Sequence, residues 1–176
     1  MRIVSKKWIF DNLSSSSNVN TTVSDTVKNI IKDIKKNKDE ALLKYVRKFE
    51  NKKATLHNLE ISQKTLKEAY NSLSNDSKKA LQLAYKRIHY YHSKQKKLSY
   101  SFRDQIDSKF YIQLNPIENI GLYIPGGLAS YPSTVLMTAI PAKIAKVPNI
   151  TICVPSHNGE TSKLTLAAAY LCGVNK

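Results

Sequence analysis

Cysteine and long apolar runs are the two things this sequence most lacks. Only two cysteines occur among 176 residues, Cys153 and Cys172, and neither lies in a CxxC pair. A disulfide-built secreted scaffold is therefore excluded, and both are predicted to be buried thiols. No apolar run reaches the roughly 18–20 residues that a membrane span needs. The basic stretch from Met1 to Trp8 has no apolar secretory core, so a cytoplasmic protein without a membrane partner is predicted.

Acidic residues are also scarce relative to basic ones. There are 28 lysines and arginines against 13 acids, which gives a formal charge of +15. Residues 108–176 hold only five lysines and two glutamates, so the excess belongs to residues 1–107. A nucleic-acid surface is one interpretation. The lysines are scattered, mixed with acids and unaccompanied by a binding motif. The favoured interpretation is therefore that they lie on solvated helix faces, and nucleic acid is not the expected partner.

The first part of the chain, residues 1–118, reads as a mainly helical segment. Apolar spacing of 3–4 residues predicts helices within 23–34 and 41–49, interrupted at Asn37 to Asp39. Ser62 is a predicted N-cap, and Asp76 or Ser77 opens a longer helix with Tyr91 facing inward. Short strands are predicted at Leu59 to Ile61, Leu98 to Phe102 and Phe110 to Leu114.

From Ile120 onward the pattern alternates strand, helix, strand, helix. The predicted elements are a strand at Ile120 to Ile124, a helix at Ser133 to Ala145, a strand at Ile150 to Val154 and a helix at Thr161 to Cys172. Gly173 suits the left-handed position after a helix, and Val174 would begin another strand. The fold class is α/β: an incomplete Rossmann-like βαβα unit preceded by a helical segment. Two parallel strands would leave an apolar face uncovered, so the chain is interpreted as truncated.

The loop after the first of these strands is the candidate ligand site. Tyr123 ends the strand, and Gly126 and Gly127 follow it before a helix begins. A strand, a glycine-bearing loop and a helix N-terminus bring backbone N–H groups close to an anionic ligand. The pattern is equally typical of a tight turn with a half-buried tyrosine. His89 and His92 lie three apart on a helix without a third metal ligand, and His157 stands alone in a loop.

The same region resembles histidinol dehydrogenase, the last enzyme of histidine biosynthesis. The resemblance rests on Gly121 to Gly127, Ala129, Pro132 to Met137 and Ile140 to Ala145. It continues in Lys38-Asp39, Ala41-Leu42, Tyr45, Lys48 to Glu50, Arg87-Ile88, His92, Gln95, Val154-Pro155, Ala167 to Ala169 and Leu171 to Val174. Lys38 and Lys146 stand where this family usually has glycine, and Glu50 where it has aspartate.

The resemblance implies oxidation of L-histidinol to L-histidine through an aldehyde, with two NAD⁺ and a zinc ion, in a homodimer. It gives Tyr123 a contact with NAD, and Gly126 and Gly127 a close approach of backbone to that cofactor. It puts the zinc ligands and the catalytic glutamate–histidine pair beyond residue 176, so no catalytic or metal residue is assigned here. Residues 119–176 are then the start of the NAD-binding domain, and the polypeptide is an N-terminal portion expected to be inactive alone.

Two other functions stay open on the sequence. One is a non-catalytic nucleotide- or partner-binding half of a split enzyme, which a separate reading frame encoding the missing half would support. The other is a basic RNA-binding protein, which would show steeply salt-dependent binding.

Overall fold

The structure is a computed structural model. It describes residues 21–95, 98–126, 130–156 and 159–176, with side chains from Val23 onward. Helices and strands appear in the predicted order except at residues 56–61. The helices are α1 (Thr21–Phe49), α2 (Leu56–Leu59), α3 (Gln63–Asn71), α4 (Asn75–Gln95), α5 (Pro132–Ile144) and α6 (Lys163–Cys172). The strands are β1 (Tyr100–Arg103), β2 (Lys109–Ile112), β3 (Asn119–Tyr123) and β4 (Asn149–Cys153).

Helix α1 is two helical segments that meet at Lys38. The backbone of Lys38 has φ 49° and ψ −126°, a conformation that side-chain-bearing residues rarely adopt. The predicted interruption at Asn37 to Asp39 is therefore confirmed. Glycine adopts such a conformation without a steric cost.

The chain between α1 and α3 departs from its predicted structure. Thr55 and Asn58 form a reciprocal capping box, in which each side chain accepts a hydrogen bond from the other residue's backbone N–H. This box starts the single turn α2, so the strand predicted at Leu59 to Ile61 is wrong. The predicted cap of α3 is correct, because the Ser62 hydroxyl accepts from the Thr65 N–H at 3.1 Å.

Helix α4 begins slightly earlier than predicted. The Ser74 hydroxyl accepts from the Ser77 N–H at 3.2 Å, so Ser74, not Asp76 or Ser77, is the residue before the first turn. Leu81 is buried, as expected, but Tyr91 is 62% exposed and does not face inward.

Strands β1 and β2 form an antiparallel hairpin in which Phe102 pairs with Phe110. Every residue of both strands is exposed, and the two phenylalanine rings stack with centroids 5.2 Å apart. The Leu114 N–H donates to the Ser99 hydroxyl at 2.8 Å and closes the base of the hairpin.

Strands β3 and β4 pair in parallel, with Leu122 opposite Ile152 and Tyr123 opposite Cys153. Helices α5 and α6 pack against each other, α4 packs on α5, and α3 packs on α6. One apolar cluster joins these helices to the sheet, and its largest fully buried side chains are Ile124, Leu136, Ile140, Ile150 and Val135. The α/β fold class with a βαβα unit after a helical segment is confirmed.

Within the described ranges no element covers the opposite face of this small sheet, but that face is not the wide apolar surface that was expected. Alternation along the strands places Gly121, Tyr123, Thr151 and Cys153 on it, and Tyr123 is its one large apolar side chain. The apolar residues Ile120, Leu122, Ile150 and Ile152 all point to the other face. Exposed apolar area lies instead on the hairpin and on α1.

Helices α5 and α6 end in the same way. Lys146 follows α5 with φ 63°, and Gly173 follows α6 with φ 63°. In each case the next residue's N–H reaches back to a carbonyl in the last turn: Val147 to Ala142 at 3.0 Å and Val174 to Ala169 at 3.2 Å. These are Schellman endings, in which glycine carries no steric cost. The predicted role of Gly173 is confirmed.

No helix within the described ranges is long and apolar enough to cross a membrane.

Candidate functional site

The carboxyl ends of β3 and β4 lie side by side and form one edge of a crevice. Tyr123, the last residue of β3, is 67% exposed, so it is not the half-buried strand tyrosine that the sequence also allowed. In open α/β sheets, ligands bind outside this end of the strands. Tyr123 therefore presents a free aromatic ring at the expected ligand edge.

Gly126 lies where the loop after β3 touches the segment after β4. A Cβ atom on Gly126 would come within 2.8 Å of the Cβ of Pro155. Any larger residue would push the two segments apart, so close approach is what this glycine provides. Gly127 lies outside the described residues.

Both helices that follow these strands begin without a side-chain cap. Neither Tyr131, before α5, nor Ser162, before α6, accepts a hydrogen bond from the first turn through its side chain. The first N–H groups of a helix have no intrahelical acceptor, and the helix dipole makes that end partly positive. Two such ends near one edge suit an anionic group such as a pyrophosphate.

The two residues that follow α1 contact the same edge. The Glu50 carboxylate accepts a hydrogen bond from the Ser156 N–H, 106 residues further on. The Asn51 amide sits 2.7 Å from where a Cβ on Gly159 would lie, and Gly159 has φ 86°. Glu50 was not among the predicted site residues. A separation of 106 residues leaves no local pattern that could have revealed this contact.

A cleft of about 580 Å³ runs from Tyr123 along β4 to α1 and α2. Leu42 and Val46 of α1 and Leu56 of α2 contribute apolar side chains to it, and Thr151 to Ser156 line the sheet side. The cleft is thus mostly apolar with a few polar groups, which is typical of ligand sites.

The histidines do not form a metal site within the described part of the chain. The His92 Nδ1 atom is 2.7 Å from the Gln95 side-chain oxygen, and the exposed His89 stacks on Tyr85. Among the described residues, no three of His, Cys, Asp and Glu come together to hold an ion. His157 lies outside the described residues.

The two cysteines differ. Cys172 is buried as predicted, and burial raises the pKa of its thiol to about 12. Cys153 is exposed on the free face of the sheet, so the prediction of a buried thiol was wrong there. Its position in an apolar strand pattern did not reveal that no other described element covers this face.

Parallel strands that end together, each followed by a helix without a side-chain cap, define an α/β protein with a candidate ligand-binding edge. The chain belongs to the histidinol dehydrogenase family, whose model matches residues 13–176. Members of this family are oxidoreductases that generally depend on NAD and zinc.

The chain is similar to "Histidinol dehydrogenase" of Acinetobacter baylyi, with 41% identity over 97% of this chain and 40% of that protein. It is 44% identical to the protein of the same name from Sulfurimonas denitrificans, over 88% of this chain and 36% of that protein. The crystal structure of histidinol dehydrogenase from Elizabethkingia anophelis matches with a TM-score of 0.78 and 36% identity, covering 86% of this chain and 35% of that one. The chain thus spans 35–40% of the length of these relatives.

Proposed function

We propose that this chain contributes to a cytoplasmic histidinol dehydrogenase, which oxidises L-histidinol to L-histidine through histidinaldehyde with two NAD⁺. Residues 119–176 form the first part of its NAD-binding domain, and residues 1–118 precede that domain. Family membership supports the reaction, and the shared name of the relatives supports the substrate.

The observation that carries the proposal is the strand edge at Tyr123. A free aromatic ring, a close backbone approach at Gly126 and two uncapped helix starts occur together at the carboxyl ends of β3 and β4. The ring would stack on a base of NAD, and the helix N-termini would face its pyrophosphate. Gly126 and Gly127 would keep the loop narrow enough for backbone to approach the cofactor.

Zinc binding and proton transfer are not assigned to residues of this chain. The described residues offer no ligand cluster that fits zinc, so we assign no residue here to zinc or to acid–base chemistry. We propose that those groups come from sequence outside these 176 residues and that this polypeptide alone does not oxidise histidinol. Formation of NADH from histidinol, NAD⁺ and zinc by the purified chain would contradict that.

Binding of NAD⁺ can be tested separately from turnover. Saturation-transfer NMR on the 176-residue chain should give NAD⁺ signals that weaken when Tyr123→Ala removes the ring, with affinity falling by about tenfold, typical of one lost stacking contact. Tyr123→Phe keeps the ring and should keep most of the affinity. Tyr111→Ala is the matched control, because Tyr111 is 68% exposed on the hairpin. Equal NAD⁺ affinity in the two alanine variants would overturn the role of Tyr123.

We also propose that the full enzyme is a homodimer. The aromatic side chains of the hairpin, whose strands are exposed at every residue, support this, because soluble monomers rarely leave such side chains contiguous and uncovered. Size-exclusion chromatography with light scattering checks the mass, and a monomer at micromolar concentration would count against this chain carrying the interface.

A further inference from the structure

Glu50 and Asn51, the residues that follow α1, are held by backbone hydrogen bonds. Both of their N–H groups donate to the Val46 carbonyl, from Glu50 at 2.9 Å and from Asn51 at 3.0 Å. Bonds of this kind close the C-terminus of a helix and fix the direction in which the chain leaves it. The Glu50 and Asn51 side chains therefore project from a backbone that is already in place.

The turn after these residues is fixed as well. The Ala54 N–H donates to the Asn51 carbonyl at 3.0 Å, and Ala54 is 1% exposed. The Arg47 Nε atom donates to the Ala54 carbonyl at 2.8 Å, which connects the turn back to α1. Glu50 thus lies between a helix end and a bonded turn. A side chain supported in this way can hold a neighbouring segment in position.

The segment that Glu50 holds lies at the carboxyl end of β4. The Ser156 N–H donates to the Glu50 carboxylate, a charge-assisted bond that is stronger than one between neutral groups. The preceding residue, Pro155, is the one that a Cβ on Gly126 would meet at 2.8 Å. Glu50 and Gly126 therefore contact adjacent residues of one segment, so a shift at either contact changes the other.

The cleft connects these contacts with the ring of Tyr123. Tyr123, Glu50, Pro155 and Ser156 all line the same cavity of about 580 Å³. Binding groups that are held in place before the ligand arrives give a higher affinity, because less ordering is needed when it binds. The bond between Glu50 and Ser156 provides such order at the edge where Tyr123 is exposed.

We propose that Glu50 is a positioning residue for the strand edge at Tyr123. Its carboxylate holds the Ser156 N–H, which keeps the segment after β4 against the loop at Gly126 and keeps the cleft in the shape that admits NAD⁺. Glu50 acts only through that segment and does not touch the cofactor. The inference rests on the NAD⁺ binding proposed above. It goes beyond that function because it gives a residue of the helical segment 1–118 a role in cofactor binding.

Three variants of the 176-residue chain test this role, with NAD⁺ as the probe. Glu50→Ala removes the acceptor and should lower NAD⁺ affinity by about tenfold, the effect of one lost bond to a charged group. Glu50→Gln keeps a side-chain oxygen that accepts from Ser156, so it should stay within about threefold of the parent. Glu60→Ala is the matched control. Glu60 lines the same cleft but forms an exposed pair with Lys176, so its removal should leave NAD⁺ affinity unchanged.

A backbone NMR signal shows whether the effect passes through Ser156. The Ser156 amide proton should move upfield in Glu50→Ala, because it loses its charged acceptor, and should move less in Glu50→Gln. The amide signal of Ile140, which is buried in the core, should stay in place in both variants. A Ser156 signal that does not move in Glu50→Ala would overturn the inference.

A double-mutant cycle tests whether Glu50 and Gly126 act on the same segment. Gly126→Ala adds the Cβ that would meet Pro155 and should itself weaken NAD⁺ binding. Once Glu50→Ala has released the segment that Cβ has room, so the double variant should bind about as well as the weaker single variant. Losses that multiply, or a parent that binds NAD⁺ no better than Glu50→Ala, would overturn this inference alone. A parent that does not bind NAD⁺ at millimolar concentration would overturn the proposed function and this inference with it.

Discussion

Two lysines occupy backbone positions that favour glycine, and they make the chain less stable than it could be. Lys38 has φ 49° at the break in α1, and Lys146 has φ 63° after α5. A side-chain-bearing residue in left-handed geometry costs about 1–2 kcal/mol, because its Cβ crowds the following carbonyl. Glycine at each position would avoid this cost.

Lys146→Gly should therefore stabilise the fold by about 1 kcal/mol, which raises the melting temperature by about 2–4 °C in a chain of this size. Thermal unfolding followed by circular dichroism measures the shift. Gly173→Ala at the equivalent position after α6 is the control, because it adds a Cβ at the same φ and should lower the melting temperature. A lower melting temperature for Lys146→Gly would show that the lysine side chain contributes more than the backbone strain costs.

The two thiols should react very differently with alkylating reagents. Cys153 is exposed, whereas Cys172 is buried and burial raises the pKa of its thiol to about 12. Because the thiolate is the reactive form, native protein at pH 8 should incorporate one iodoacetamide at Cys153 and leave Cys172 unmodified. Peptide mass spectrometry locates the label, and denatured protein should incorporate two. Rapid native labelling of Cys172 would contradict its burial.

At the scale of elements, a group of side chains around Asp33 braces the break in α1. The Asp33 carboxylate accepts hydrogen bonds from the Tyr45 hydroxyl at 2.8 Å, the Asn37 amide at 2.7 Å and the Lys44 ammonium at 3.1 Å. These bonds, that of Tyr45 foremost, hold the pKa of Asp33 below its ordinary value of 3.8. Tyr45 and Lys44 lie after Lys38 and Asp33 lies before it, so the bonds connect the two helical segments.

This lowered pKa predicts a pH-dependent effect of Asp33→Asn. A carboxyl group with a lower pKa in the folded state stabilises the fold above pH 3.8, and that contribution disappears as pH falls through the folded value. Asp33→Asn should therefore lower the melting temperature at pH 7, and the difference from the parent should shrink below pH 3.8. Asp25→Asn removes an exposed pair with Lys28 and should have little effect at either pH. A constant Asp33→Asn difference down to pH 2 would rule out the ionic contribution.

Local sequence patterns were sufficient to predict the helices and strands of the α/β part. They were insufficient for features that depend on contacts with residues distant in the sequence. Ser62 and Gly173 act through bonds within a few residues, so the sequence located the start of α3 and the end of α6. Apolar spacing placed Tyr91 on the inner face of α4, but it could not reveal that this tyrosine stays exposed. Tyr123 was a candidate from the strand–loop–helix pattern, and the family resemblance added its predicted contact with NAD. Its exposure depends on how β3 and β4 pair, which no local pattern encodes.

At the scale of the whole molecule, the β1–β2 hairpin is separate from the core. Both of its strands are exposed, whereas one apolar cluster unites α3 to α6 with β3 and β4. A two-stranded hairpin is marginally stable by itself. It should therefore add little to the free energy of unfolding and much to self-association.

Replacing residues 100–112 with a short glycine–serine linker tests this separation. The 2.8 Å bond between Ser99 and Leu114 shows that the two ends are close enough for such a linker. The midpoint of urea unfolding should change little, and light scattering at high protein concentration should fall because stacked aromatics such as Phe102 and Phe110 are gone. Loss of cooperative unfolding in this variant would mean that the hairpin belongs to the core.

The two hydrogen bonds from the Gln63 side chain to the carbonyls of Val174 and Asn175 can form only late in the synthesis of the chain. Gln63 and its partner Val174 are 111 residues apart, and α6, which packs on α3, is almost as distant. A ribosome that adds about 5–20 residues per second needs roughly 6–20 s to make the chain between them. During that interval the nascent α3 has formed its own helical turns but does not yet pack against α6. Leu66 and Ala69, which are buried in the finished fold, therefore remain exposed to water and to chaperones.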